Sequence, residues 1–288
     1  MTRDVGHYWL RVVIYTFVTL CIGTIYYNVG TDYTAILARG SGASYVSGFM
    51  TFMSIGGFPS FVEDMKVFQR ERFNGHYGVI AFVIANALSS MPYLALVATI
   101  SGTITYYMVK LHPGFTHYIY FVLNLFSCVA VVESLMMTVA TLVPNFLMGI
   151  VTGAGILGIF MLVAGFFRFL QDLPKPVWRY PMSHISFNSW ALQGQYKNDL
   201  LGLDFKPQIE GMPKISGDYI LKNVFEINTK RPKGWDLAII FSMIFIYRVI
   251  FFLLIKNRTQ ITYILIATWS VKLCNTLLEN SMNMKYGM

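Results

Sequence analysis

Six mostly apolar stretches, each near the ~20 residues that an α-helix needs to cross a hydrocarbon layer about 30 Å thick, dominate this sequence. They run over 9–27, 42–61, 79–109, 118–143, 146–167 and 235–255. None shows the shorter alternating segments of a β-barrel, so the expected fold class is an all-α integral membrane protein. Only 12% of the 288 residues are charged. That is half of the roughly one quarter usual in soluble domains, as expected where lipid is the main solvent. The third stretch is longer than a span requires, and Pro92 within it lacks one backbone donor, which predicts a kink or break near residues 90–92.

Basic residues assign the two sides. With the amino terminus in the cytoplasm, Arg3, Arg11, Lys66, Arg70, Arg72, Lys256 and Arg258 fall inside, against Arg39 and Lys110 in the short outer loops, which is the positive-inside bias. Both termini are then cytoplasmic. The net charge of +8 is explained by topology and anionic head groups rather than by nucleic acid.

The segment 168–234 is expected outside, since long loops cross regardless of charge. Pro174, Pro176 and Pro181 punctuate its start, and the apolar run 182–192 is too short to span. This predicts a short helix re-entering the outer leaflet, followed by a polar cap, with an ordinary surface loop as the competing reading. The transmembrane unit is expected over 1–258, leaving an atypical tail at 259–288 that suits an interfacial helix or a disordered end. The sequon Asn257-Arg258-Thr259 falls on the cytoplasmic side and is expected to stay unmodified.

No phosphate-cradling GxxxxGK[ST] loop, metal-ligand pair or catalytic constellation occurs along the chain, and Cys21, Cys128 and Cys274 are far apart. The candidates are therefore charges and aromatics in apolar surroundings. Glu133, in VVESLMM, and Arg248, in IYRVIFF, lie at similar depths from the cytoplasmic ends of the fourth and sixth spans, so an intramembrane ion pair is open to them. A structural pair or a snorkelling arginine is the plainer reading, and a substrate contact the sharper one. Tyr45, Phe49 and Phe52 recur at helical spacing on the second span, where they line an apolar cavity or pack against helices and lipid. The small-residue pairs Thr19/Gly23 and Gly149/Gly153 would let helices approach closely, chiefly within the chain.

One segment breaks the apolar character. VEDMKVFQRERFNGHYG, residues 62–78, sits on the inner side and sets Lys66, Arg70 and Arg72 against Glu63, Asp64 and Glu71. A lipid clamp would be uniformly basic; nearly balanced charge reads better as a short helix that docks a cytoplasmic protein.

VFQRERFNGHYGV after the second span, TIYYNVGTDY closing the first, AGFF ending the fifth and SFNSWALQGQYKNDLLGL beyond it occur in this order. Together they resemble the transmembrane half of an ABC transporter of subfamily G, the white–brown complex type, over about 2–256. GGFPSFVEDMKVFQRER and VVESLMM are most similar to the plant half-transporters that export cuticular wax and related lipids. The resemblance implies a six-helix type V exporter fold with a re-entrant outer segment, dimerisation with a second half-transporter, a plasma-membrane location, and lipid export driven by ATP hydrolysis.

It also implies roles for particular residues. Lys66, Arg70, Glu71, Arg72 and Tyr77 match the coupling loop that rests on the nucleotide-binding domain. Tyr45, Phe49, Phe52, Gly158 and Met161 match the substrate cavity at the dimer axis, and Phe166 and Phe167 the outer gate. Three departures accompany the match. The nucleotide-binding domain that precedes the first helix in this subfamily is not in the chain, so ATP and magnesium would be held by that domain and no ATPase site is expected here. The outer segment 168–234 has no cysteine for the disulfides of some animal members. Beyond Lys256 the family pattern is not seen. Two other classes compete: a secondary transporter that couples ions through Glu133, and a non-transporting membrane scaffold or regulatory partner.

Overall fold

The computed structural model describes residues 5–74, 78–143, 145–207, 214–227, 229 and 231–257; the tail expected at 259–288 lies outside the described residues. Among these the helices are α1 (Val5–Ile25), α2 (Tyr33–Ser54), α3 (Phe58–Phe73), α4 (Val79–Val109), α5 (Phe115–Leu142), α6 (Phe146–Leu162), α7 (Ser183–Ile185), α8 (Phe187–Leu200), α9 (Gly217–Asn223) and α10 (Lys233–Asn257). Two short strands, β1 (Asp204–Phe205) and β2 (Ile215–Ser216), pair antiparallel with Phe205 opposite Ile215. The chain is an all-α integral membrane protein with this small ladder within the segment 168–234. By length and composition α4, α5 and α10 can each cross a membrane, while the apolar stretches of α1 and α6 are shorter.

α5 is the hub. It packs against α2, α3, α4, α6 and α8, and its side chains are buried almost continuously from Ser127 to Thr141. Hydroxyls survive inside it because each finds a carbonyl one turn back: Ser134 Oγ donates to Ala130 O at 2.8 Å and Thr138 Oγ1 to Ser134 O at 3.0 Å. The small residues of α6 act within the chain. A Cβ on Gly149 would stand 2.0 Å from the Phe58 ring, and one on Gly153 2.5 Å from Met136 Sδ. Only glycine lets α6 approach α3 and α5 so closely.

Four expectations about the helices change. The second span begins at Tyr33, not near residue 42. Arg39 is therefore inside a helix instead of in an outer loop, and it stays there because carbonyls and a carboxylate receive its guanidinium. α2 also stops at Ser54; a 3₁₀ turn at Ile55–Gly57 redirects the chain, and α3 starts separately with Pro59 in its first turn. α4 runs unbroken across Pro92, packed against α1 and α5, so of the kink or break expected there the break does not occur. α6 ends at Leu162, short of residue 167, and Gly165 then takes φ +96°, a left-handed conformation that turns the chain out of the helix.

The outer segment does hold a helix after the prolines, but α8 is longer and more polar than the apolar run 182–192, and every residue from Phe187 to Leu200 except Gln193 is buried. Its polar groups are met from several sides. Gln195 Nε2 donates to Ser47 Oγ at 2.8 Å, Asn124 Nδ2 to Ala191 O at 3.1 Å, and Ser186 and Ser189 Oγ to Phe160 O and Val163 O. Lys197 Nζ lies 2.7 Å from Asp236 Oδ2, and Arg39 Nη1 3.0 Å from Asp199 Oδ1. An apolar cluster of Ile36, Leu192, Tyr196, Leu200, Phe205 and Ile220 ties α2, α8, β1 and α9 together.

Candidate functional site

α2 and α6 cross where Gly48 leaves room: a Cβ there would stand 3.0 Å from Met161 Cε. Beside this crossing is an apolar cavity of about 220 Å³ lined by Tyr45, Met161, Phe166 and Phe167 together with Asn188 and Leu192. Tyr45 and Phe49 stack, rings 6.3 Å apart and 12° from parallel. Phe52, one turn further along α2, packs against the main core, and Gly158 has open space over its Cα. The structure thus brings Tyr45, Met161, Phe166 and Phe167 to one cavity and leaves Phe52 and Gly158 apart from it.

A second apolar cavity, about 400 Å³, lies between α2, the chain after α6, and the outer cap, with Tyr33, Leu37, Phe169, Tyr219 and Phe225 among its walls. Phe166 lines this one too. It stands edge-on to Phe167, with ring centroids 5.2 Å apart and an interplanar angle of 76°. Both phenylalanines occupy the turn that Gly165 opens rather than a helix, so their rings are set by loop geometry. Tyr196, also lining the outer cavity, shares a 3.3 Å hydrogen bond with Ser44. Burial raises its phenol above the ordinary value and so favours the neutral form, with that hydrogen bond acting the other way.

At the other end of α5 the charges gather. Arg248 Nη2 lies 3.3 Å from Glu133 Oε1, and Arg248 Nη1 contacts Met137 Sδ at 2.9 Å. Glu133 also lines a cavity of about 310 Å³ of mixed character, walled by Arg11, Ser60, Asp64, Ser90 and Tyr93 and by Phe61, Val67 and Phe82. The Arg11 guanidinium lies 5.6 Å from the Tyr93 ring centroid and reaches Ser54 O at 3.5 Å. Arg11 entered the sequence reading only as a marker of topology.

Residues 62–73 belong to α3, an amphipathic helix. Met65 and Phe68 bury against Met137, Val79, Phe251 and Ile255, and the Phe68 and Phe82 rings stack at 4.2 Å. Glu63, Lys66, Val67 and Arg70 are exposed and, at spacings of three, four and seven, share one face. Glu71 and Arg72 are half-buried instead, so they lie off that face. Tyr77 lies outside the described residues.

The amino-acid sequence matches the family model described as ABC-2 type transporter over residues 1–200. It is 67% identical over 262 residues to ABC transporter G family member 11 of Arabidopsis thaliana, an alignment covering 91% of this chain and 37% of the relative. It is 50% identical over 256 residues to ABC transporter G family member 1 of Petunia hybrida, covering 89% and 39%, and 46% identical over 261 residues to Arabidopsis member 13, covering 91% and 38%. The chain spans less than two fifths of the length of these relatives.

Proposed function

Because the chain belongs to the ABC-2 type transporter family, we propose that it forms the membrane half of an ATP-driven exporter of lipids or other hydrophobic compounds. It works as a dimer with a second half-transporter, in the plasma membrane, with both termini cytoplasmic. ATP and magnesium are held by a nucleotide-binding domain, against which the exposed face of α3 docks through Lys66 and Arg70. Motion of α3 is passed to the core through Met65 and Phe68, which pack on the same end of α5 that carries Met137.

The observation that carries this reading is the position of Phe166, shared between the 220 Å³ and 400 Å³ cavities. An apolar molecule entering beside Tyr45 and Met161 meets Phe166 and Phe167 before the outer chamber. A ring that closes one chamber from the next gives direction to release. The walls are aromatic and aliphatic, with Asn188 and two serines as the polar minority, which suits weakly polar, elongated molecules.

The test uses the full-length protein reconstituted in vesicles with a fluorescent fatty alcohol as cargo. Phe166→Ala should abolish ATP-driven accumulation while ATP hydrolysis continues; transport unchanged in both Phe166→Ala and Phe167→Ala would remove the gate from this reading. A secondary transporter coupled through Glu133 is favoured by the cavity that this acid shares with Arg11, Asp64 and Ser90. Transport that survives ATP depletion but not Glu133→Gln would replace the first reading with that one.

A further inference from the structure

Two of the polar side chains on the walls of the 220 Å³ cavity are already engaged. Ser47 Oγ accepts from Gln195 Nε2 at 2.8 Å, while Ser44 Oγ donates to Gly40 O at 2.6 Å and shares a hydrogen bond with Tyr196. Asn188 is different. It lines the same cavity and is only 6% exposed, yet its amide has no hydrogen-bond partner among the described residues. Its mount is firm. Ser186 Oγ donates to Phe160 O at 2.9 Å and Ser189 Oγ to Val163 O at 3.0 Å, so the chain on either side of Asn188 is tied to the end of α6. The adjoining Phe187 ring is fully buried, edge-on to Phe160 with centroids 6.0 Å apart. Asn188 and Leu192, four residues apart, share the face of α8 that is turned to the cavity.

A buried amide held in place and left unpaired by the fold calls for a ligand atom. An asparagine side chain offers a donor and an acceptor together, and a hydroxyl group offers one of each in return. Building on the export reading above, we propose that Asn188 selects cargo by its head group. The cavity takes the hydroxyl end of a long-chain primary alcohol in preference to a hydrocarbon of the same length. The hydroxyl donates to Asn188 Oδ1 and accepts from Nδ2. At about 220 Å³ the cavity is smaller than the roughly 300–1,000 Å³ that encloses a drug-sized ligand. It therefore holds the head and the first carbons, and the remaining chain leaves past Tyr45, which is 51% exposed. Discrimination arises because a hydrocarbon in the same place expels water from the amide and supplies no hydrogen bond in its stead.

The test reads binding without ATP. Purified full-length protein in detergent is loaded with a fluorescent fatty alcohol, and its displacement by 1-dodecanol is compared with displacement by dodecane at matched concentrations in the micelle. The alcohol should displace the probe about tenfold more effectively. Asn188→Leu should bring the two competitors to equal effect, whereas Asn188→Ser, which keeps a hydroxyl, should retain part of the preference. If Asn188→Leu does not fold, Asn188→Ala decides in its place. Equal displacement by alcohol and hydrocarbon in the unaltered protein, or a preference that survives intact in Asn188→Leu, would overturn the assignment. Loss of ATP-driven accumulation in vesicles would remove the export reading and leave this binding preference standing, so the two failures are told apart.

Discussion

Arg39 of α2 and Asp199 of α8, 160 residues apart in the chain, meet at 3.0 Å with both side chains buried. The guanidinium also donates to the carbonyls of Val29, Gly30 and Lys110, and Asp199 Oδ1 accepts from the His112 backbone N–H at 2.8 Å. Two outer connections and two helices are thus joined at one ion pair. Lys110, with φ +56° at the end of α4, owes its exposed carbonyl a partner, and Arg39 supplies it.

Breaking this pair should be severe. Arg39→Ala or Asp199→Ala leaves the other charge buried, at a cost of about 3–5 kcal/mol, seen as a large fall in the thermal unfolding midpoint of the detergent-solubilised protein. Asp32→Asn serves as the control: its partner Lys206 lies 3.1 Å away, but both side chains are more than 60% exposed. Its loss should change stability by about 0–1 kcal/mol.

Gly149→Ala should destabilise by about 1–3 kcal/mol through overpacking, since the new Cβ meets a Phe58 ring that is itself fully buried. Gly155→Ala, on the same helix with nothing within 4 Å, should stabilise by about 1 kcal/mol through helix propensity. Chemical denaturation of both variants in one detergent checks the opposite signs.

Glu133→Ala alone should be more harmful than Glu133→Ala combined with Arg248→Met. The single change strands a mostly buried guanidinium 3.3 Å from where its carboxylate was, whereas the double change removes both charges. A double-mutant cycle on unfolding midpoints reads the coupling; additive effects would show that the pair contributes nothing.

Charge reversal on the exposed face of α3, Lys66→Glu with Arg70→Glu, should reduce transport-stimulated ATP hydrolysis of the full-length protein without lowering its unfolding midpoint. Phe68→Ala should lower the midpoint by the equivalent of about 3–5 kcal/mol, because Phe68 is 1% exposed and stacked on Phe82. The two variants separate docking from folding.

Much of this arrangement was legible in the sequence because periodicity and depth are local properties. Apolar length places α4, α5 and α10; counting residues inward from the ends of the fourth and sixth spans puts Glu133 and Arg248 level; mixed charge between two spans marks α3. Where the reading failed, distant partners were responsible. Arg39 looked like a loop residue because a charge inside an apolar helix is costly, and only Asp199 and three carbonyls make it affordable. The polar end of α8 looked like a cap, yet Gln195 donates to Ser47 in the interior, while at the other end Ser186 donates to the Phe160 carbonyl and Asn124 to the Ala191 carbonyl. Phe166 and Phe167 continued an apolar run, and one left-handed glycine removed them from the helix.

By itself, then, the amino-acid sequence determined that the chain must satisfy its backbone within helices and where along it lipid-facing segments recur, since hydropathy needs no partner to be read. Tertiary structure alone decided which polar residues are buried, which of the aromatic candidates share a cavity, and that the Lys197–Asp236 pair leaves one carboxylate oxygen without a donor among the described residues. Those outcomes depend on groups brought together from far along the chain, where a buried charge or hydrogen bond is tolerated only if its complement arrives with it.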